Sequence, residues 1–251
     1  MFEIEYFDEI DSTNTYLMDR AAKCGPDILP EWHTVIAKCQ TAGRGRRGRS
    51  FESPADTGLY MSVLLRPKTS IEATTRITTA AAVAACRAIG KCTNEQASIK
   101  WVNDIYVRGK KVCGILTEAV MPPGSTNPVS VVCGIGFNLY EPAGGFSDEI
   151  RDIAGAISEK KIPDLSDKLS KAFLDEFYRI CRDIDNSEHA AEYKRRSFII
   201  GQEINVIDGK GTREARAIDI DNECRLVVRF EDGSLETLSC GEVSVRKSDG
   251  K

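Results

Sequence analysis

Gly43-Arg44-Gly45-Arg46-Arg47-Gly48-Arg49 follows, two residues on, from Thr34-Val35-Ile36-Ala37-Lys38-Cys39-Gln40, an apolar run that reads as a strand. The loop sets four guanidinium groups among three glycines, in a 251-residue chain of formal net charge −4 and pI near 5.5. An acidic protein that gathers cations on pliable backbone at one place is built to bind anions there. The planar donor fork of arginine suits phosphate and carboxylate oxygens. Glycine lets backbone N–H groups approach those oxygens closely.

Gly43 to Ser50 spells Gly-x-x-x-x-Gly-Arg-Ser, one residue from a Walker A signature. That architecture is rejected, because the motif must open a helix. Here Phe51-Glu52-Ser53-Pro54-Ala55 leads instead into a strand, Gly58 to Leu65. The loop by itself leaves a small anionic ligand and a polyanion equally open. With four like charges and three glycines, it is expected to be mobile until a ligand arrives.

Outward from the loop, the first eight residues read as an acidic, alternating strand rather than a secretory leader. Asp11-Ser12-Thr13-Asn14 caps a short helix that ends near Gly25-Pro26. A long alanine- and threonine-rich helix spans Glu72 to Ile89, capped by Ser70 and closed by Gly90. Ile99 to Trp101, Ile105 to Val107, Lys111 to Val120 and Val129 to Phe137 read as strands, with turns at Arg108-Gly109-Lys110 and Pro122 to Ser125. Two helices are expected next. The second, Asp164 to Ile184, has apolar residues at helical spacing. A shorter helix runs through Ala190 to Tyr193. From Gly201 to Arg246 about five short alternating segments separated by turns predict a small SH3-sized barrel. The expected organisation is therefore α+β, a sheet flanked by helices over residues 1–197 followed by a small β domain over 198–251.

No apolar run approaches the roughly 20 residues of a membrane-spanning helix. Nine scattered cysteines, no Cys-x-x-Cys and only two histidines argue against zinc and for reduced thiols in the cytoplasm. His33 and His189 read as fillers of core or surface rather than catalysts.

A second polar cluster separates the two readings of the loop. Lys100-Trp101-Val102-Asn103-Asp104 lies between two strands, and Lys111 lies on the strand after the next turn. An amine can stabilise charge on a reacting phosphoryl oxygen. A carboxylate can hold Mg2+, which favours carboxylate and phosphate oxygens.

With Gln40-Thr41-Ala42 ahead of the arginine loop, Lys100 to Asp104, Gly134-Ile135-Gly136-Phe137-Asn138 and the early Ser12-Thr13-Asn14, the chain resembles the biotin–protein ligases over nearly its whole length. The resemblance implies a class II synthetase-like catalytic fold with a mixed central sheet and a C-terminal SH3-like barrel. It implies an enzyme, biotin–[acetyl-CoA-carboxylase] ligase, that joins biotin to ATP as biotinyl-5'-AMP and then transfers biotin to a lysine of a biotin carboxyl carrier domain. Carried over by position, Ser12, Thr13, Asn14, Gln40, Gly43, Arg44, Gly45, Gly134 and Gly136 would surround the biotin ring. Arg46 and Lys111 would hold the biotin carboxylate and the adenylate phosphate. Arg49, Lys100, Asn103, Asp104 and Asn138 would meet the nucleotide, with Asp104 offered to Mg2+. Lys100, Arg46, Lys111 and Asp104 would be the catalytic set, and Phe51 would stack on adenine. Two positions depart from the family pattern: Val102 stands where proline is common, and Phe51 where the best-known bacterial member has tryptophan.

Because Ser12-Thr13-Asn14 comes so early, a preceding DNA-binding domain is not expected, nor is a repressor function. Lipoate and octanoyl ligases share this fold and chemistry but carry a different glycine-rich signature with a His-Asp pair, which is missing here. A nucleic-acid-binding role would need more basic clusters than Lys194-Arg195-Arg196 supplies. An exposed sheet edge could pair with the carrier or with a second copy in a homodimer.

Overall fold

A computed structural model describes residues 2–67, 73–121, 130–184, 188–208, 211–239 and 241–245. Seven strands make one mixed sheet: β1 (Ile4–Ile10), β2 (Thr34–Gln40), β3 (Gly58–Leu65), β4 (Ser98–Lys100), β5 (Asp104–Val107), β6 (Lys110–Val120) and β7 (Ser130–Asn138). Their order is β1-β2-β3-β7-β6-β5-β4. Only β1 and β2 run parallel; every other pairing is antiparallel.

Alternation along β6 and β7 sends neighbouring side chains to opposite faces. Cys113, Ile115, Val131, Cys133, Ile135 and Phe137 join the large core that includes α2 (Ala73–Thr93) and α3 (Leu165–Cys181). Six alanines of α2, Ala80, Ala81, Ala82, Ala84, Ala85 and Ala88, are fully buried, which lets the helix lie close to its neighbours. On the opposite face Val132 and Val120 pack with Leu17 and Ala21 of α1 (Thr13–Lys23) in a smaller core. The N-cap of α1 is Ser12, whose hydroxyl accepts from the Thr15 N–H at 3.4 Å.

After α4 (Glu188–Arg196), β8 (Glu203–Asp208), β9 (Gly211–Ile220), β10 (Leu226–Phe230), β11 (Leu235–Leu238) and β12 (Glu242–Val245) form a second, antiparallel sheet. Its order is β11-β10-β9-β8-β12, so the edge strands do not pair and the expected barrel is an open sheet among the described residues. The inner residues Ile204, Val206, Ala217, Leu226 and Val228 belong to the same core as α2 and α3. The indole of Trp101, in the β4–β5 turn, donates to the Cys224 carbonyl at 3.0 Å.

Two sequence expectations are corrected. Gly90 lies inside α2, which continues to Thr93 and so absorbs the conformational cost of a helical glycine through burial of its alanine face. The first of the two helices expected after β7 does not form. The Ser147 to Ala154 region is a set of tight turns, with the Ile150 N–H donating to Ser147 and that of Ala154 to Ile150. Pro142, Gly144 and Gly145 before it, Gly145 at φ 75°, favour turns. Ser70 and the Pro122 to Ser125 turn lie outside the described residues.

Tyr193 of α4 is fully buried and donates from its hydroxyl to the Val102 carbonyl at 2.9 Å. This bond fixes the polar turn between β4 and β5 from beneath. Tyr193→Phe removes the donor from a buried carbonyl and is expected to lower stability by about 1–3 kcal/mol, read as a lower urea midpoint at unchanged slope.

Candidate active site

A cleft opens on the α1 face of the large sheet, with about 480 Å³ of space counted to its open mouth. Its floor exists because the strands there lack side chains. Gly114 faces Gly136 across the β6–β7 pair, and Leu116 faces Gly134. A Cβ at Gly134 would overlap Oδ1 of Asn14, and one at Gly136 would overlap the ring of Phe51. One at Gly114 would come within 3.2 Å of the same ring.

The inner end is a linked set of buried polar groups. Asn14 donates from Nδ2 to the Leu116 carbonyl at 3.1 Å and to Glu118 Oε2 at 3.0 Å. Its Oδ1 accepts from the Ser62 hydroxyl at 2.6 Å. Ser62 also meets the Thr13 hydroxyl at 2.8 Å. Gln40 Oε1 accepts from the Thr13 N–H at 2.9 Å and from its hydroxyl at 3.1 Å. Gln40 Nε2 then donates to Ser53 at 2.9 Å, and Ser53 to the Phe51 carbonyl at 2.9 Å. Ser12, Thr13, Asn14 and Ser62 are all buried. Such a network is stable only when its members are satisfied, and it offers a polar ring partners that desolvation would otherwise deny it.

The mouth is cationic and is covered by the arginine loop. The loop doubles back on itself, the Gly45 N–H donating to the Arg49 carbonyl at 2.7 Å and the Phe51 N–H to that of Gly43 at 2.9 Å. Arg47 and Gly48 take left-handed conformations at the bend, φ 57° and 73°. The loop is anchored at many points in this structure. Arg44 makes a two-pronged pair with Glu118. Arg46 donates to Asn103 Oδ1 and to the Gly241 carbonyl, both at 3.1 Å. Arg47 donates to the Ile207 carbonyl at 2.9 Å, and Arg49 grips Glu242 at 2.7 and 2.9 Å. The C-terminal sheet therefore carries part of the loop's restraint, a role that sequence reading left unassigned.

Of the residues expected at the site, Ser12, Thr13, Asn14, Gln40, Arg44, Gly45, Arg46, Phe51, Asn103, Lys111, Gly134 and Gly136 line this cleft. Gly43 lies behind it, close to the Phe51 carbonyl. Lys100, Asp104, Arg49 and Asn138 stand outside the lining. Lys100 and Asp104 are cross-strand partners, and Asp104 Oδ1 pairs with Lys111 Nζ at 2.7 Å. Burial pulls the Lys100 amine below its ordinary value of 10.5; Asp104 opposes that fall, and Lys111 adds to it. Asn138 ends β7 and donates to the Gly155 carbonyl at 3.2 Å. Phe51 sits over the glycine floor, edge-on to Tyr60 at 6.4 Å. Neither His33 nor His189 lines the cleft. Among the described residues no group of three or more His, Cys, Asp or Glu could hold a metal ion. The eight described cysteines are unpaired.

Sequence reading missed Ser62, Gly114, Leu116, Glu118 and Glu242. Ser62 was visible in principle as a polar residue within an apolar strand, and Glu118 as a carboxylate in the largely apolar second half of β6. Glu118 also shares the parity of Gly114 and Leu116, so its direction followed from alternation.

The model of the biotin/lipoate A/B protein ligase family matches residues 6–138, and that of the biotin protein ligase C terminal domain matches residues 199–246. The chain belongs to the biotin/lipoate A/B protein ligase family. The second match and the relatives below place it in the biotin–protein ligase branch, ATP-dependent enzymes that ligate biotin. It is 33% identical to the bifunctional ligase/repressor BirA of Bacillus spizizenii over 236 residues, covering 91% of this chain and 70% of that protein. It is 30% identical to the biotin--[acetyl-CoA-carboxylase] ligase of Mycobacterium tuberculosis over 240 residues, covering 92% and 85%. The fold is that of a biotin protein ligase from Aquifex aeolicus solved with biotin and ATP: TM-score 0.81, 23% identity, 99% of this chain and 100% of that one.

Gly134→Ala forces a methyl group into Asn14 and is expected to cost about 1–3 kcal/mol through overpacking. Gly144→Ala is the control, since nothing lies within 4 Å of its added Cβ. Thermal unfolding of the two variants side by side checks the difference.

Proposed function

We propose that the cleft binds biotin with its ring at the Thr13–Asn14–Gln40 end and its carboxylate at the cationic mouth, where ATP meets it. One observation carries this reading: a buried, hydrogen-bonding end and a cationic end share one cleft. A urea-like ring needs the first and a carboxylate beside a triphosphate needs the second. Ser12, Thr13, Asn14, Gln40, Arg44 and the backbone around Gly43, Gly45, Gly134 and Gly136 take the ring. Arg46 and Lys111 take the carboxylate and the α-phosphate. Arg49, Lys100, Asn103, Asp104 and Asn138 serve the nucleotide. Phe51 stacks on adenine once its ring leaves the glycine floor.

In the first half-reaction a biotin carboxylate oxygen attacks the α-phosphorus, the bond to the bridging oxygen breaks and pyrophosphate leaves. In the second, a lysine amine of the carrier attacks the acyl carbon, AMP leaves and the amine gives up a proton. Both steps gather negative charge on phosphate or acyl oxygen, so fixed cations and positioning supply the rate. Mg2+ enters with ATP as part of the substrate. Asp104 is a carboxylate between two amines, which suits one contact to an ion held mainly by phosphate oxygens.

The acceptor is a biotin carboxyl carrier domain of a carboxylase. No helix among the described residues is long and apolar enough to cross a membrane. The unpaired thiols support a cytoplasmic setting. Residues 1–197 act as the catalytic unit and 198–251 as the unit that steadies its loop. The β1 edge of the large sheet is an edge strand that either the carrier or a second copy would extend. Nucleic acid is not a substrate in this reading, because the loop arginines face protein acceptors and the cleft.

The experiment is exchange of labelled pyrophosphate into ATP, with and without biotin, followed by mass spectrometry of a carrier domain incubated with biotin, ATP and Mg2+. Absence of biotin-dependent exchange by folded protein would overturn the reading. Lys100→Ala is expected to lower kcat about 10²–10³-fold with little change in the KM for biotin. Because the charged amine is the active form and its pKa is lowered, activity should fall on the alkaline side before pH 10.5. Lys100→Arg should move that limb upward in a pH profile of kcat.

A further inference from the structure

Glu118 has no part in the steps above, yet three N–H donors converge on its two oxygens. Arg44 Nη2 reaches Oε1 at 2.7 Å. Arg44 Nη1 and Asn14 Nδ2 reach Oε2 at 3.1 and 3.0 Å. Arg44 belongs to the loop that covers the cleft, while Asn14 belongs to the first turn of α1 at its back. One carboxylate near the C-terminal end of β6 therefore ties the cover of the cleft to its inner wall. Only a carboxylate suits the position. Both its oxygens accept, whereas an amide of the same size would turn its own NH2 group against one of the three donors.

We propose that Glu118 is a positioning residue for recognition of the biotin ring, holding the Asn14 amide and the Arg44 guanidinium in register. The inference rests on the biotin-ligase reading. Its effect is confined to the ring end of the cleft, because the loop arginines beyond Arg44 have their own anchors. Arg46 is held by Asn103 and Gly241, and Arg49 by Glu242. Loss of Glu118 thus loosens ring binding and spares the nucleotide end.

The test is steady-state pyrophosphate exchange by the full chain and by Glu118→Gln. The KM for biotin is expected to rise about tenfold or more, as loss of hydrogen bonds to a charged group would give. The KM for ATP should stay within about twofold, and kcat at saturating biotin within about threefold. Glu118→Asp keeps the charge with one methylene less reach and should recover part of the affinity; it carries the test if the Gln variant does not fold. An unchanged KM for biotin overturns the proposal. So does a joint rise of both KM values with a fall in melting temperature, the mark of a merely structural group. A parent protein without biotin-dependent exchange overturns the ligase reading and this one with it. An active parent with an indistinguishable Gln variant overturns this one alone.

Discussion

The site depends on an absence of side chains at the middle of the large sheet. Gly134 and Gly136, with Gly114 opposite, leave a hollow into which Asn14 and Phe51 settle. Any larger residue at the first two positions would fill the space those groups occupy. A sheet face is ordinarily covered by interlocking apolar side chains. Here that covering stops after Val132 and resumes only beyond the cleft, so polar groups can be buried against backbone and against one another. The cost of burying them is offset by a hydrogen-bond chain that runs from Glu118 through Asn14, Ser62, Thr13 and Gln40 to Ser53.

The arginine loop is held by acceptors on two sides. Its charges would repel if they faced only one another, but the fold supplies acceptors from two directions. Glu118 of the large sheet takes Arg44, while Glu242 and the carbonyls of Ile207 and Gly241 of the second sheet take Arg49, Arg47 and Arg46. The exposed ion pairs among these are individually weak. Several of them acting together with backbone acceptors give the loop a closed position. The second sheet is thereby part of the mouth of the cleft. Its packing into the common core through Trp101 and the α2 face keeps that mouth in register with the catalytic turn.

Much of this was legible in residue order. β2 and β3 begin and end where their apolar patterns do, and the five C-terminal segments are all strands. The helix expected between β7 and α3 was misread because its few apolar residues sit among Pro142, Gly144 and Gly145, which favour turns. The small C-terminal β domain is there as expected, though its sheet is open among the described residues: strand count is set by local alternation, but closure requires two distant edges to meet. The position of the Phe51 ring over the glycine hollow is one that no local pattern describes. Glu118 went unnoticed because a charge within an apolar strand gains its meaning from what stands opposite it.

Sequence alone therefore determined the chemical inventory: a cation-rich, glycine-loosened loop, a lysine–amide–carboxylate turn, and an Ser-Thr-Asn helix start, each spelled by contiguous residues whose local physics is self-contained. The tertiary structure decided which of these share a cleft and which stand beside it. It also decided which carboxylates neutralise which arginines. Those pairings join residues 74 and 193 positions apart, and only the register of two sheets, set by burial of their apolar faces, brings them together.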